Sequence, residues 1–211
     1  ISIRQYICYT SNNLGELKFW LGEYDEAEKL FREQLNIATE LGIKRHISIA
    51  YNCLGNISRK KQDFVTAENF YDKAIAIGEE LNVQTILCEY YYEKASLFYE
   101  MEKLGEALEL VEKALKMSAE VNRLDFHFRS ELLKWKIISH SDREKAVEMM
   151  GQMMNTNTKN ENIAELNYHL YMLTLDEDYF KKAMTLFEGL YNEAPKAAYR
   201  ERIESLKSMK G

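Results

Sequence analysis

The stretch "YNCLGNISRKKQDFVTAENFY", Tyr51 to Tyr71, decides the fold. It holds two segments whose apolar residues recur every three to four positions, the spacing of a helix with one buried face, about a polar break at Gln62-Asp63-Phe64. The first segment carries Leu54 beside Gly55. The second carries Ala67 and, one turn later, Tyr71. Where two antiparallel helices cross closely, a Gly or Ala lets the backbones approach and a large residue one turn away fills the gap beside it. The stretch therefore reads as one helix pair.

The same pattern recurs at a spacing of 40. Ala27, Ala67 and Ala107 are in register, followed four residues later by Phe31, Tyr71 and Val111. Thirteen residues before each alanine stand Leu14-Gly15, Leu54-Gly55 and, in the third copy, Lys94-Ala95. The internal breaks fall at Gly22-Glu23-Tyr24, Gln62-Asp63-Phe64 and Glu102-Lys103-Leu104, and "ELG", "ELN" and "EVN" close the copies at Gly42, Asn82 and Asn122. Gly and Asn tolerate the left-handed backbone that ends a helix. A fixed period in this range is the mark of a solenoid.

Downstream of residue 122 the register slips. Ala146 with Met150 suits a fourth pair whose first helix holds Phe128, Leu133 and Ile137, and Ala183 with Phe187 suits a fifth. Lys134 and Tyr171 replace the small residue in these pairs. After Pro195, Tyr199, Ile203 and Leu206 share one face, as a terminal cap requires. The polar segment Asn155 to Asn162 reads as a long loop between the last two pairs. The expected fold is all-α: a right-handed superhelical solenoid of about five antiparallel pairs over residues 4–42, 44–82, 84–122, 124–155 and 161–193, with a capping helix at 195–209, all in one domain.

Composition agrees. A single proline and nine glycines leave few breakers for the turns of many short strands. A net charge of −6 gives no footprint for nucleic acid, whose phosphates need clustered Lys and Arg. No apolar run reaches the roughly 18 to 20 residues of a membrane span, so no membrane contact is expected and the reading is cytoplasmic. The opening residue, Ile1, reads as the start of a fragment of a longer protein.

The pattern resembles the tetratricopeptide repeat (TPR), Trp-x2-Leu-Gly-x2-Tyr followed by Ala-x3-Phe and Pro. Here it stands as Tyr51, Leu54, Gly55, Ser58, Ala67 and Tyr71, and as Ser11, Leu14, Gly15, Lys18, Ala27 and Phe31. The period is 40 rather than 34, and the first three copies lack the proline. In this it is similar to the extended variant of spindle-orientation adaptors and of multidomain bacterial signalling proteins.

No catalytic, cofactor or metal site emerges. Cys8 and Cys88 lie two copies apart, too far for a disulfide, and Cys53 sits within a repeat helix. There is no Cys-x2-Cys pair, nor His at metal spacing. Met149, Met150, Met153 and Met154 read as core around Gly151, and Glu79-Glu80 and Asp176-Glu177 as solvated helix ends. The chain is not expected to be an enzyme.

What remains is the surface lined by the first helix of each pair, at positions i, i+3, i+7 and i+10. These are Tyr9, Asn12, Glu16 and Phe19; Ile49, Asn52, Asn56 and Arg59; Glu89, Tyr92, Ser96 and Tyr99; and Phe128, Glu131 and Trp135, with Asn13 and Lys60 beside them. Rings and amides together suit recognition of a peptide or protein segment, and the acidic balance favours one with apolar anchors and basic character. The resemblance implies that Asn13, Asn52 and Asn56 hold a ligand backbone. It also weighs against the basic clamp of chaperone-binding members, since Asn12, Glu16, Cys53, Glu89 and Glu93 stand where Lys or Arg would be needed. The expected function is a non-catalytic scaffold or adaptor. The alternative is a regulatory, effector-sensing domain of a larger signalling ATPase, cyclase or transcription activator.

Overall fold

The computed structural model describes residues 3–210, and every regular element among them is an α-helix. The helices are α1 (Ile3–Leu21), α2 (Tyr24–Glu40), α3 (Lys44–Lys60), α4 (Phe64–Leu81), α5 (Gln84–Glu100), α6 (Leu104–Glu120), α7 (Leu124–Ile138), α8 (Arg143–Thr156), α9 (Asn160–Thr174), α10 (Glu177–Glu193) and α11 (Ala197–Ser208). They form two compact units, one ending at Glu131 and one beginning at Leu132, within α7. In neither is any helix long and apolar enough to cross a membrane.

In the first unit α1 packs on α2, α3 on α4 and α5 on α6, and each second helix also packs on the next first helix, α2 on α3 and α4 on α5. The helices end where the backbone turns left-handed. Gly22, Gln62 and Glu102 do this inside the pairs, and Gly42, Asn82 and Asn122 between them, all with positive φ. At each site the following amide donates back five residues, as from Asp63 N to Ser58 O at 2.9 Å and from Val83 N to Gly78 O at 3.2 Å. The turn thereby satisfies carbonyls that the helix end leaves unpaired.

The seam within each pair follows from side-chain volume. A Cβ added at Gly55 would lie 2.6 Å from the Tyr71 ring, and one at Gly15 would lie 2.6 Å from the Phe31 ring. Only glycine leaves room for those rings. In the third pair Ala95 and the smaller Val111 hold the places of Gly55 and Tyr71, both fully buried, so the departure from the Gly pattern goes with a loss of volume at the ring position.

The second unit packs α8 on α9, α9 on α10 and α10 on α11. Its core is aromatic: Tyr168, Tyr171, Phe187 and Tyr199 join Ala164, Ala183, Ile203 and Leu206. The long loop expected over Asn155–Asn162 is a correction, because only residues 157–159 separate α8 from α9. Side-chain amides let the helices run on. Asn157 Nδ2 donates to Met153 O at 2.8 Å, and Asn162 Nδ2 donates to Asn157 Oδ1 at 2.8 Å. Of the methionines, Met150 and Met153 are in the core, while Gly151 has nothing within 4 Å of its would-be Cβ.

Candidate functional site

In the first unit α1, α3 and α5 lie side by side, α1 touching α3 and α3 touching α5, and one face of this layer gathers polar groups. Helical spacing puts Asn12 and Glu16 one turn apart on α1, Asn52 and Asn56 on α3, and Glu89 and Glu93 on α5. Asn12 Nδ2 donates to Glu16 Oε1 at 2.9 Å, and Asn52 Nδ2 reaches from α3 to Glu89 Oε1 at 3.1 Å. Arg59, at the C-terminal end of α3, donates from Nη2 to Glu93 Oε2 at 2.7 Å and from Nη1 to Glu100 Oε1 at 2.8 Å. Arg123, in the turn before α7, pairs with Asp125 at 3.0 Å, donates to Thr85 O at 2.9 Å and stands 3.7 Å from Glu89 Oε2.

The balance is negative. Burial pushes the Glu89 carboxyl up to about 7; Glu93 and Glu16 add to the shift and Arg123 offsets part of it. Burial first, then Glu16, Glu89 and Glu93, push the Cys53 thiol well up, so it is a poor nucleophile. All three cysteines are free thiols. Among the described residues no three His, Cys, Asp or Glu side chains are grouped to hold a metal ion.

The candidate residues fall into distinct environments. Tyr9 is exposed, its ring edge-on to His46 at 4.5 Å, and Asn13 and Lys60 are also exposed. Asn12, Glu16, Ile49, Asn56, Arg59, Glu89, Tyr92, Tyr99 and Glu131 are half-buried. Asn56 accepts a hydrogen bond from Tyr71 Oη at 2.6 Å, which ties it to the seam. Phe19 packs against the core of the first pair, 5.5 Å from the Tyr24 ring. Asn52 is 1% exposed, and Ser96, Phe128 and Trp135 are buried as well. Ser96 donates back to Tyr92 O at 3.0 Å. Trp135 lies in the second unit and the other candidates in the first.

Sequence reasoning did not enlist Glu100 or Arg123 for this face, and it placed Glu93 there only as an acid where a basic clamp would need Lys or Arg. Glu93 occupies the place of Asn13 and Cys53 at the period of 40, so a signal for it existed. Arg123 comes from a turn and carries no periodic signal. The arrangement is rich in acceptors: Asn12 Oδ1 and Asn52 Oδ1 are buried without a hydrogen-bond partner among the described residues.

Residues 46–120 and residues 8–41 each match the tetratricopeptide repeat family. A 79-residue segment is 37% identical to stress-induced-phosphoprotein 1 of Caenorhabditis elegans, covering 37% of this chain and 22% of the length of that protein. Among solved structures, nearly identical TPR-like repeats from Podosopora anserina align over 100% of this chain and 97% of theirs, at 14% identity and a TM-score of 0.63. Aspartyl phosphate phosphatase F from Bacillus subtilis aligns over 97% of this chain and 56% of its own, at 15% identity and 0.69. YrrB, a TPR protein with an unusual peptide-binding site, aligns over 93% and 90%, at 14% identity and 0.50. At these identities the likeness is one of fold.

Proposed function

Because residues 8–41 and 46–120 carry tetratricopeptide repeats, we propose that the α1–α3–α5 face is a docking surface for a peptide or protein segment bearing a Lys or Arg. The observation that carries this reading is the surplus of acceptors. Glu16 on α1 adds to the upward shift of Glu89 on α5, and the asparagines bonded to them, Asn12 and Asn52, each keep an orphan oxygen. Arg59 and Arg123 are already engaged by Glu93, Glu100 and Asp125. Arg59 Nε is the one donor of this face likewise left without a partner among the described residues, and an incoming ammonium or guanidinium supplies donors to the two amide oxygens and charge to offset Glu16 and Glu89. Exposed Tyr9 and half-buried Ile49 offer apolar area for neighbouring side chains of the segment. Peptide binding by YrrB, whose fold this chain shares, supports the same role as adaptor or scaffold.

A fluorescent dodecapeptide library scanned position by position tests this. The expected result is selection for Lys or Arg at one position, weakened about 10-fold by Glu16→Gln with Glu89→Gln at unreduced melting temperature. Binding indifferent to peptide charge and to both substitutions would reject it.

The second reading is a regulatory domain within a larger signalling protein. It is favoured by the alignment with a phosphatase of which this chain covers 56%. A catalytic or DNA-binding domain in the intact gene product, whose activity changes when a peptide binds, would select it over the adaptor.

A further inference from the structure

The outward face of α1 is composed like an interior. Ile7, Leu14 and Leu17 are 37%, 44% and 47% exposed, and Ile3 and Leu21 extend the same stripe, which is interrupted only by Thr10 at its middle position. Forty residues on, Leu54 and Ile57 hold the places of Leu14 and Leu17, each 1% exposed and packed with Ala27, Phe31 and Leu35 of the preceding pair. Forty further, Leu87 and Leu97 hold the places of Ile7 and Leu17, at 3% and 0%. What covers the face in α3 and α5 is the second helix of the pair before, α2 and α4. Apolar stripes of this size are not left to water without a partner surface.

The covering geometry is specific. Near the end of α4, a Cβ at Gly78 would lie 2.8 Å from Leu87 Cδ2. Ala38 and Ser118 stand at the same place in α2 and α6, both fully buried. Leu110 and Met117 of the third pair pack against a core cluster that Ala74 and Ile75 of the second pair share with Leu87 and Tyr90. Their counterparts in the first pair, Leu30 and Ile37, instead form with Ile7 the apolar part of an open cleft whose remaining lining is charged or amide, Arg4 and Glu33 among it.

We propose that the α1–α2 end is a repeat interface. Its occupant is the second helix of a further tetratricopeptide-type pair, carried ahead of α1 in the same polypeptide and packed on α1 as α2 packs on α3. That helix presents Ala, Gly or Ser against Ile7, and three residues earlier a Leu or Ile, as Leu35 and Ile75 are placed, to fill the cleft. A second copy of this chain has no such helix to offer. Within their units α2, α4, α8 and α10 are covered by α3, α5, α9 and α11, and Ser118 of α6 is fully buried. Supply within one polypeptide also follows the existing joints, residues 41–43 and 82–83, where a short turn makes docking intramolecular.

Amide hydrogen exchange on the intact gene product, with light scattering, tests the assignment. The amides of residues 10–17 are expected to exchange as slowly as those of residues 50–57. Leu17→Glu should speed them at least ~10-fold and lower the melting temperature by about 5 °C, while Leu17→Met leaves both near wild type. Fast exchange in α1 that Leu17→Glu does not change would show an open face and overturn the proposal. A dimer that Leu17→Glu converts to monomer would also overturn it, placing a second copy on the face.

Discussion

In the second helix pair a glycine faces a ring, Gly55 against Tyr71, whereas in the fifth the first helix itself brings rings, Tyr168 and Tyr171, toward Phe187. The first arrangement draws two backbones together, so its tolerance is set by a Cβ that does not fit. The second fills its space with four buried aromatic side chains and the half-buried Phe180 packed on them, with ring centroids 5.2 Å apart for Tyr171 on Phe180 and 6.4 Å for Tyr168 on Phe187. One repeat motif thus reaches a closed core by opposite distributions of volume. A close-packed interior specifies total volume and shape at a seam and not which strand of it is bulky.

The comparison breaks most sharply at Phe187. Phe187→Ala removes the ring that the aromatic cluster surrounds, and about 4 kcal/mol of stability should go with it, read as a fall in the denaturant midpoint. Loss of less than about 1 kcal/mol would mean that the tyrosines collapse into the space and that the cluster is loosely specified. Gly55→Leu tests the other arrangement. With the Tyr71 ring already 2.6 Å from a would-be Cβ, overpacking should destabilise by about 3 kcal/mol. A melting temperature like that of the wild type would show that the pair does not depend on the close approach.

A smaller effect sharpens the polar side of the same unit. The folded Glu89 carboxyl, raised to about 7, binds its proton more tightly than in the unfolded chain. The stability from that proton is present below the ordinary carboxylate range, near 4.5, and is lost as pH rises through 7. Glu89→Gln removes the charge at every pH, so it should stabilise by about 1 kcal/mol at pH 8, after discounting for the solvent that still reaches the group. The gain should fade toward pH 5 in parallel thermal melts; an equal gain at both values would detach it from titration. Smallest is Gln62→Gly. Gln62 holds a left-handed conformation where the first pair has Gly22, and relieving it should add about 0.5 to 1 kcal/mol. No gain would show that the turn is already unstrained.

The helices were legible because the period of 40 repeats the physical requirement of each: a small residue at the crossing, a large one a turn later and a left-handed stop. A second series, Ala38, Gly78 and Ser118, carried the same kind of information about how successive pairs approach, and it shows as period 40 once the contact between α4 and α5 is seen. The face of α1, α3 and α5 was legible as a set of positions but not as a set of environments. Asn52 and Asn56 share a helix face, yet one lies under Glu89 and the other is held by Tyr71, because neighbouring helices bring different partners over each turn. The loop drawn over Asn155–Asn162 failed for a related reason: composition reports solvation, and an amide that caps α8, bonded to a second amide in the first turn of α9, looks the same as two amides in a loop.

The sequence by itself therefore determined the elements and, in the first unit, their stops, since backbone conformation and one-sided apolar spacing are local properties that neighbours three and four residues apart decide. The tertiary structure alone decided the charge state at Glu89, the engagement of Arg59 and Arg123, and the exposure of α1. Desolvation and Coulomb attraction depend on which side chains from residues some 40 positions away stand within a few ångströms, and whether an apolar stripe is covered depends on which helix lies over it. No spacing along one chain encodes either.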